Sequence, residues 1–252
     1  NQNSIYLSGV LLFYKIIFTS INKLKMKKKL VVLTGAGISA ESGISTFRDA
    51  NGLWESHDIM EVASIDGYQR NPKLVQEFYN QRRKQLFGVE PNAAHLFLKE
   101  LENDFEVSII TQNVDDLHER VGSTKVIHLH GELRKARSEK DENLIIDWND
   151  DIKFGDLAED GNQLRPHIVW FGEMVPEIES AIDEVLTADI LIIIGTSMQV
   201  YPAASLKDYA KQNIPIIYID PSDTYINSSI THIKKKATQS LEELKIILKD
   251  FL

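Results

Sequence analysis

An α/β fold, a doubly wound parallel sheet with a smaller second lobe, is what this sequence predicts, and three observations predict it. Five short apolar runs are continuous rather than alternating, as strands covered on both faces must be. Helical patterns lie between those runs, and strands alternating with helices make a parallel sheet. A glycine loop follows the first run directly, at the strand end where such sheets bind their ligands. The 252 residues are 43% apolar and 26% charged, ordinary for a globular chain, which excludes a disordered chain, a collagen and a bare coiled coil. Lys and Arg number 28 against 37 Asp and Glu, a net charge of −9, which argues against nucleic acid as a partner. There is no cysteine, so disulfides and thiolate-held zinc or iron–sulfur sites are excluded. No run of ~18 uncharged apolar residues occurs, so no membrane span is expected.

In chain order, residues 1–25 do not match the rest. The apolar block Ile5–Phe18 is broken by Lys15, and its lysines follow rather than precede it. No small-residue cleavage site appears, unlike a signal peptide. We read 1–25 as an extension ahead of a domain opening at Met26; a peripheral amphipathic helix and a targeting segment are the other readings. Leu30–Leu33 reads as the first strand. Pro72–Phe87 reads as a helix with Leu74, Val75, Phe78 and Leu86 on one side, and Pro91–Leu101 as a second, opening on a helix-compatible proline. Val107–Thr111 and Val126–Leu129 are the next strands. Helices over Pro176–Leu186 and Pro202–Gln212 flank the strand Ile190–Ile194, and Ile214–Ile219 is the fifth strand. Ser240-Leu-Glu-Glu243 reads as a capping box opening a last helix faced by Leu241, Leu244, Ile247, Leu248 and Leu252. Residues 44–71 are polar and turn-rich, and 132–166 are charged without apolar periodicity. Both are expected to leave the sheet and form the smaller lobe.

Gly35-Ala-Gly-Ile-Ser-Ala40 carries Gly35-x-Gly37-x-x-Ala40, the dinucleotide fingerprint with alanine in third place. Small residues there let the backbone approach a pyrophosphate. A dehydrogenase would next show a strand ending in an acidic residue ~20 positions on. That spacing lands on Glu55, which follows Asn51-Gly-Leu-Trp54, and that is no strand. The site therefore reads as a nucleotide site whose chemistry is not ordinary hydride transfer.

The motifs occur in the order seen in sirtuins: Gly35 to Arg48, Gly52-Leu-Trp54, Thr111-Gln-Asn-Val-Asp115, His130-Gly131, Pro166-His-Ile-Val-Trp-Phe-Gly172 and Gly195-Thr-Ser197. The chain resembles these NAD-dependent protein lysine deacylases over 28–250, most closely the bacterial class III, deacetylase/desuccinylase type. The resemblance implies a Rossmann-like lobe (about 26–43, 88–131 and 167–252) and a small lobe (about 44–87 and 132–166), with NAD and acyl-lysine meeting between them. It implies a cytoplasmic enzyme that transfers acetyl, succinyl or malonyl groups from lysine to ADP-ribose. Nicotinamide, free lysine and 2′-O-acyl-ADP-ribose are the products.

Roles carry over position by position. His130 is the expected general base. On a strand His128 faces the same side, so periodicity does not choose between them; the family places the base directly before the glycine. Asn113 and Asp115 are expected to work with it, and Gln112, Val114, Asn113 and Asp115 to orient ribose and carboxamide. The glycine-loop residues Gly35, Ala36, Gly37, Ala40, Glu41, Thr46, Phe47 and Arg48, with Trp54, resemble the family's cofactor loop. Gly195, Thr196, Ser197, Tyr218, Ile219, Asp220 and Ala237 resemble the adenosine side. At 218 and 220 the group usually has Asn and Glu, so Tyr218 departs while Asp220 keeps the carboxylate. Val169, Trp170, Phe171 and Gly172 are expected to offer an extended edge to which an acylated peptide adds as a strand. Tyr79 and Arg82, three apart on one helix face, match the class III signature for negatively charged acyl groups, and Ala63 matches its small tunnel residue. Periodicity alone favours a solvated basic face of Arg82, Arg83 and Lys84 instead.

Most sirtuins hold a structural zinc on four cysteines between the base and Val169. Without cysteine, the insertion 132–166 is expected to be metal-free and held by Leu144, Ile145, Ile146, Trp148, Ile152, Phe154 and Leu157. Competing readings are a mono-ADP-ribosyltransferase and a non-catalytic NAD or ADP-ribose sensor; the latter would be expected to have lost His130 or Asn113.

Overall fold

The computed structural model describes residues 27–45, 53–54, 57–223 and 227–252. The readings made for 1–25, and the side chains of Thr46, Phe47, Arg48 and Trp54, lie outside the described residues. The strands are β1 (Lys29–Thr34), β2 (Leu53–Trp54), β3 (His57–Asp58), β4 (Glu106–Thr111), β5 (Val126–His128), β6 (Gly131–Ser138), β7 (Ile145–Asp147), β8 (Leu164–Ile168), β9 (Ile190–Ile194), β10 (Ile216–Ile219) and β11 (Thr231–Ile233). The helices are α1 (Ala36–Ser39), α2 (Ile59–Val62), α3 (Ile65–Arg70), α4 (Pro72–Leu86), α5 (Ala93–Leu101), α6 (Leu117–Arg120), α7 (Ile178–Thr187) and α8 (Leu241–Lys249).

Six strands form one sheet in the order β11-β10-β9-β1-β4-β5, parallel at every pairing. The period of two along β1 sends Leu30 and Val32 to one face and Val31 and Leu33 to the other. The first pair packs with Ala94, Phe97 and Leu98 of α5 and Leu244 and Leu248 of α8. The second packs with Ala181 and Val185 of α7 and with Ala203 and Leu206. Both faces are covered, which is why these strands read as unbroken apolar runs. The register aligns Thr34 with Thr111 and with Ile194, and Thr111 with His128. The carboxyl ends carrying the motifs therefore lie side by side.

The small lobe joins α2, α3 and α4 to an antiparallel sheet of order β7-β6-β8. Val62, Ala63, Tyr68, Phe78 and Tyr79 pack there against Leu133, Ile168 and Trp170. Arg83 of α4 stitches the two parts. It is 1% exposed, and it donates to the Leu133 and Asp150 carbonyls and to Asn80 Oδ1. Burial pulls its pKa down to about 10 against the Asp151 charge.

Several expectations need correction. The polar face of Arg82, Arg83 and Lys84 is not solvated as a whole: both arginines are buried and only the lysine is exposed. Residues 203–209 form a 3₁₀ helix, not an α-helix over 202–212. The helices expected at Pro91 and Pro176 begin later, at Ala93 behind the Asn92 cap and at Ile178. The Ser240 capping box does not form. A 3₁₀ turn over Ala237–Gln239 runs straight into α8, so Ser240 is itself in helical φ/ψ and its hydroxyl donates back to Ala237 O. In 132–166 the apolar residues that bury are Leu133, toward α4, and Ala136, Ile152 and Leu164, with Trp148 against the last three. Ile145, Ile146, Phe154 and Leu157 are exposed instead: the first two lie on β7 at the sheet edge, the other two in the connection from β7 to β8. The sixth strand β11 and the small antiparallel sheet were not expected, and residues 51–54, expected to hold no strand, contain the two-residue β2, paired antiparallel with β3.

Candidate active site

The carboxyl ends of β1 and β9 meet at three glycines. A Cβ on Gly37 would stand 2.6 Å from Gly195 Cα, and one on Gly35 2.7 Å from Thr196 Cβ. Gly195 has φ +64, and a Cβ there would stand 2.5 Å from Ile38 N. Only glycine permits this approach of the α1 loop to the end of β9. The Gly35 and Gly37 amides are thereby spent on the Ile194 and Gly195 carbonyls. The fingerprint glycines accordingly serve loop contact here. The Ala36, Thr196 and Ser197 amides have no hydrogen-bond partner among the described residues and are the donors left for a phosphate. Gln112 Nε2 bridges from β4 to Thr196 Oγ1, 3.0 Å away.

The two histidines are held differently. His128 is fully engaged: Nδ1 is 3.1 Å from Asn113 O and Nε2 is 2.8 Å from Glu119. Burial pulls its pKa down, but the Glu119 carboxylate outweighs it and the net shift is upward. His130 donates from Nδ1 to Gln112 O at 3.0 Å, since a carbonyl only accepts. That fixes the tautomer and leaves Nε2 with its lone pair. Burial lowers its pKa against the pull of that bond, so the ring is neutral at pH 7. Beside it, Asn113 Nδ2 donates to Ser39 Oγ, and Asp115 accepts from Ser39 Oγ and from Leu117 N. Burial raises the Asp115 pKa against those bonds.

Further sequence-derived residues fall around this centre. The Val114 carbonyl accepts from Leu133 N. Glu41 accepts from Thr238 N and Oγ1 with its two oxygens, tying the turn after α1, with Ala40, to the turn that begins at the buried Ala237. Tyr218 is buried in the core and its hydroxyl donates to Thr196 O, so it shapes the loop from behind. Ile219 is core as well, and Asp220 accepts from Ser222 N.

The expected open edge at 169–172 is largely engaged. Val169 N donates to His130 O, and Phe171 N to Ala63 O, while Phe171 O accepts from Ile65 N. Trp170 N donates to Glu173, which two buried arginines, Arg137 and Arg165, also hold. Among the described residues the Val169 carbonyl and the Gly172 amide remain without hydrogen-bond partners. These bonds join His130 to one end of the segment and Ala63 and Ile65 to the other. Tyr79 packs against Trp170, centroids 6.1 Å apart, and burial raises its pKa. Arg82, one turn along α4, donates to Gln85 Oε1 at 2.9 Å. No group of three or more potential metal ligands occurs among the described residues.

Residues 35–202 match the Sir2 family. The chain belongs to the Sir2 family. Among its Sir2 relatives, an NAD-dependent protein deacylase of Helicobacter pylori strain 26695 is 58% identical over 219 residues, 86% of this chain and 96% of the relative. The NAD-dependent protein deacylase of Bacteroides thetaiotaomicron is 55% identical over 229 residues, 88% and 98% of the two chains. A solved Sir2 homologue–NAD complex is 41% identical, with TM-score 0.78 over 89% of this chain and 90% of that one. The Ser39, His95, His118 and Glu119 contacts were not anticipated, because only the fold shows what each side chain faces.

Proposed function

We propose that this Sir2 protein is an NAD-dependent protein lysine deacylase that accepts acetyl-lysine and lysines carrying negatively charged acyl groups, succinyl and malonyl. The observation that carries the reading is His130. Its Nδ1–H is anchored on Gln112 O, its Nε2 lone pair is free, and its own carbonyl holds Val169 N. A neutral imidazole so held can take a proton near pH 7, and it is bonded to the segment where a peptide would lie. NAD supplies the electrophilic ribose carbon and the nicotinamide leaving group. Small residues at the Gly35–Gly195 contact and the spare amides of Ala36, Thr196 and Ser197 suit its pyrophosphate. Asn113 and Asp115 would orient the ribose side, and His130 Nε2 would take the hydroxyl proton. A peptide strand would pair with the Val169 carbonyl and Gly172 amide, which recognises backbone rather than sequence.

The acyl preference rests on Tyr79 and Arg82 on the α4 face behind Trp170. An arginine fork matches a carboxylate and a phenol adds a further donor. The test is mass spectrometry of one peptide carrying acetyl- or succinyl-lysine, with and without NAD. Deacylation of both, with one 2′-O-acyl-ADP-ribose and one nicotinamide per lysine freed, is expected. ADP-ribose attached to protein with no lysine freed would show a transferase instead.

A further inference from the structure

Arg137 of β6 and Arg165 of β8 stand directly opposite on neighbouring antiparallel strands, and both are buried. Like charges so placed repel, and the group that offsets them is Glu173, in the turn after β8. Arg165 grips its carboxylate as a fork, Nη1 to Oε1 at 2.6 Å and Nη2 to Oε2 at 3.0 Å, and Arg137 Nη2 adds a bond to Oε1 at 3.2 Å. Burial pushes the Glu173 pKa up, but the arginines outweigh it and the net shift is downward, so the carboxylate is charged at pH 7. The same guanidinium holds the chain in between: Arg165 Nη2 donates to Ile168 O at 2.9 Å, and the group lies over the Trp170 ring, 3.4 Å from its centroid. Glu173 then closes a turn with both its main chain and its side chain. Its N–H donates to Trp170 O at 3.0 Å, and its Oε2 accepts from Trp170 N at 2.8 Å. Phe171 N and O are held by Ala63 and Ile65. Residues 170 and 171 thus have every main-chain polar group paired within the protein, and the Val169 carbonyl and Gly172 amide on either side of them are left for a peptide.

We propose that the Glu173 side chain is a positioning group for the acylated peptide: clamped by Arg137 and Arg165, its carboxylate fixes the 170–173 turn and so sets the Val169 carbonyl and Gly172 amide for strand pairing. This rests on the reading of 169–172 as the peptide edge. Glu173→Gln keeps the shape and one acceptor but turns an amide NH₂ toward guanidinium donors. It also leaves two buried arginines without a counter-charge, so Glu173→Gln combined with Arg137→Met, which restores the net charge of the original cluster, is measured beside it. On an acetyl-lysine peptide both variants should raise the peptide KM about tenfold, as expected for one lost hydrogen bond, with kcat and the calorimetric NAD affinity within about threefold. A second peptide, methylated on the backbone nitrogens of the acetyl-lysine and of the residue after it, cannot complete the strand pairing. The original protein should take it with a KM about tenfold higher, and the variants should add less than threefold to that. Thermal unfolding should recover in the combined variant while the peptide KM does not. An unchanged peptide KM in both variants would overturn the proposal, as would equal further losses on the two peptides, or a KM that recovers together with the melting temperature. An original protein that does not deacylate the unmodified peptide would overturn the functional reading together with this one; a working original whose KM the variants share overturns this one alone.

Discussion

At the scale of single residues, the choice between His128 and His130 is one of spare lone pairs. His128 spends both nitrogens, while His130 spends one. Replacing His130 with alanine should lower deacylation by ~10²–10⁴-fold, the usual worth of a general base, while NAD still binds in a calorimetric titration. Near-normal turnover of that variant, with His128→Ala inactive, would reverse the assignment. Because burial lowers the His130 pKa, its base form is complete at neutral pH. The rate should climb with pH through a value below 6.5 and then level off; a limb centred above 7 would point to another group. Two-residue spacing on a strand puts both rings on one side, so the sequence by itself left this choice to family likeness. Both rings rest Nδ1 on a backbone carbonyl, and the deciding fact is the Glu119 carboxylate on His128 Nε2, which strand periodicity does not place there.

At the scale of elements, α4 shows what periodicity reaches and what it misses. Val75, Phe78 and Leu86 face the core as their spacing predicts. Neighbouring arginines on the same helix are buried for different reasons. Arg83→Met should take the donor from the Leu133 and Asp150 carbonyls, at about 1–3 kcal/mol for each group left unsatisfied, while Asn80 Oδ1 keeps the Ile152 amide. Its melting temperature should therefore fall sharply while the ratio of succinyl to acetyl turnover holds. Arg82→Met should do the reverse, cutting desuccinylation about 30-fold or more, the equivalent of ~2 kcal/mol, with deacetylation within a few-fold. Equal losses on both substrates would make Arg82 structural. Strands with two covered faces were legible because apolar runs leave no other reading. The strand Thr231–Ile233 and the sheet β7-β6-β8 were not, being short or polar along one face. The last helix was placed by its apolar stripe, but its cap was misread, since the preceding turn takes Ser240 into helical geometry.

At the scale of the whole molecule, the small lobe has no cysteine to hold a metal, and its outer end rests on Ala136, Ile152 and Leu164. Elemental analysis should find no stoichiometric zinc, and chelators should leave the melting temperature unchanged; one zinc per chain would disprove this. Acid should weaken the fold. His95 and His167 are each held down to about 4, burial being the main cause, and His118 lies well below its ordinary value. As pH falls through 6.5 the unfolded chain binds protons that the folded chain refuses. Stability is then full above that value and declines toward about 4, by up to ~1.4 kcal/mol per pH unit per histidine. The raised Asp115 and His128 oppose this and the lowered His130 adds to it, two groups against four. Melting temperatures at pH 7 and pH 5 measure the difference, and a higher value at pH 5 would refute it. The sheet order carries a further consequence. β1 sits between β4 and β9, yet Ile190 is translated long after Thr34. At ~5–20 residues per second the ribosome leaves one edge of Leu30–Leu33 without its neighbour for on the order of ten seconds. An apolar edge exposed that long is one a chaperone would bind, and the nascent chain acquires its cofactor-facing surface only near the end of synthesis.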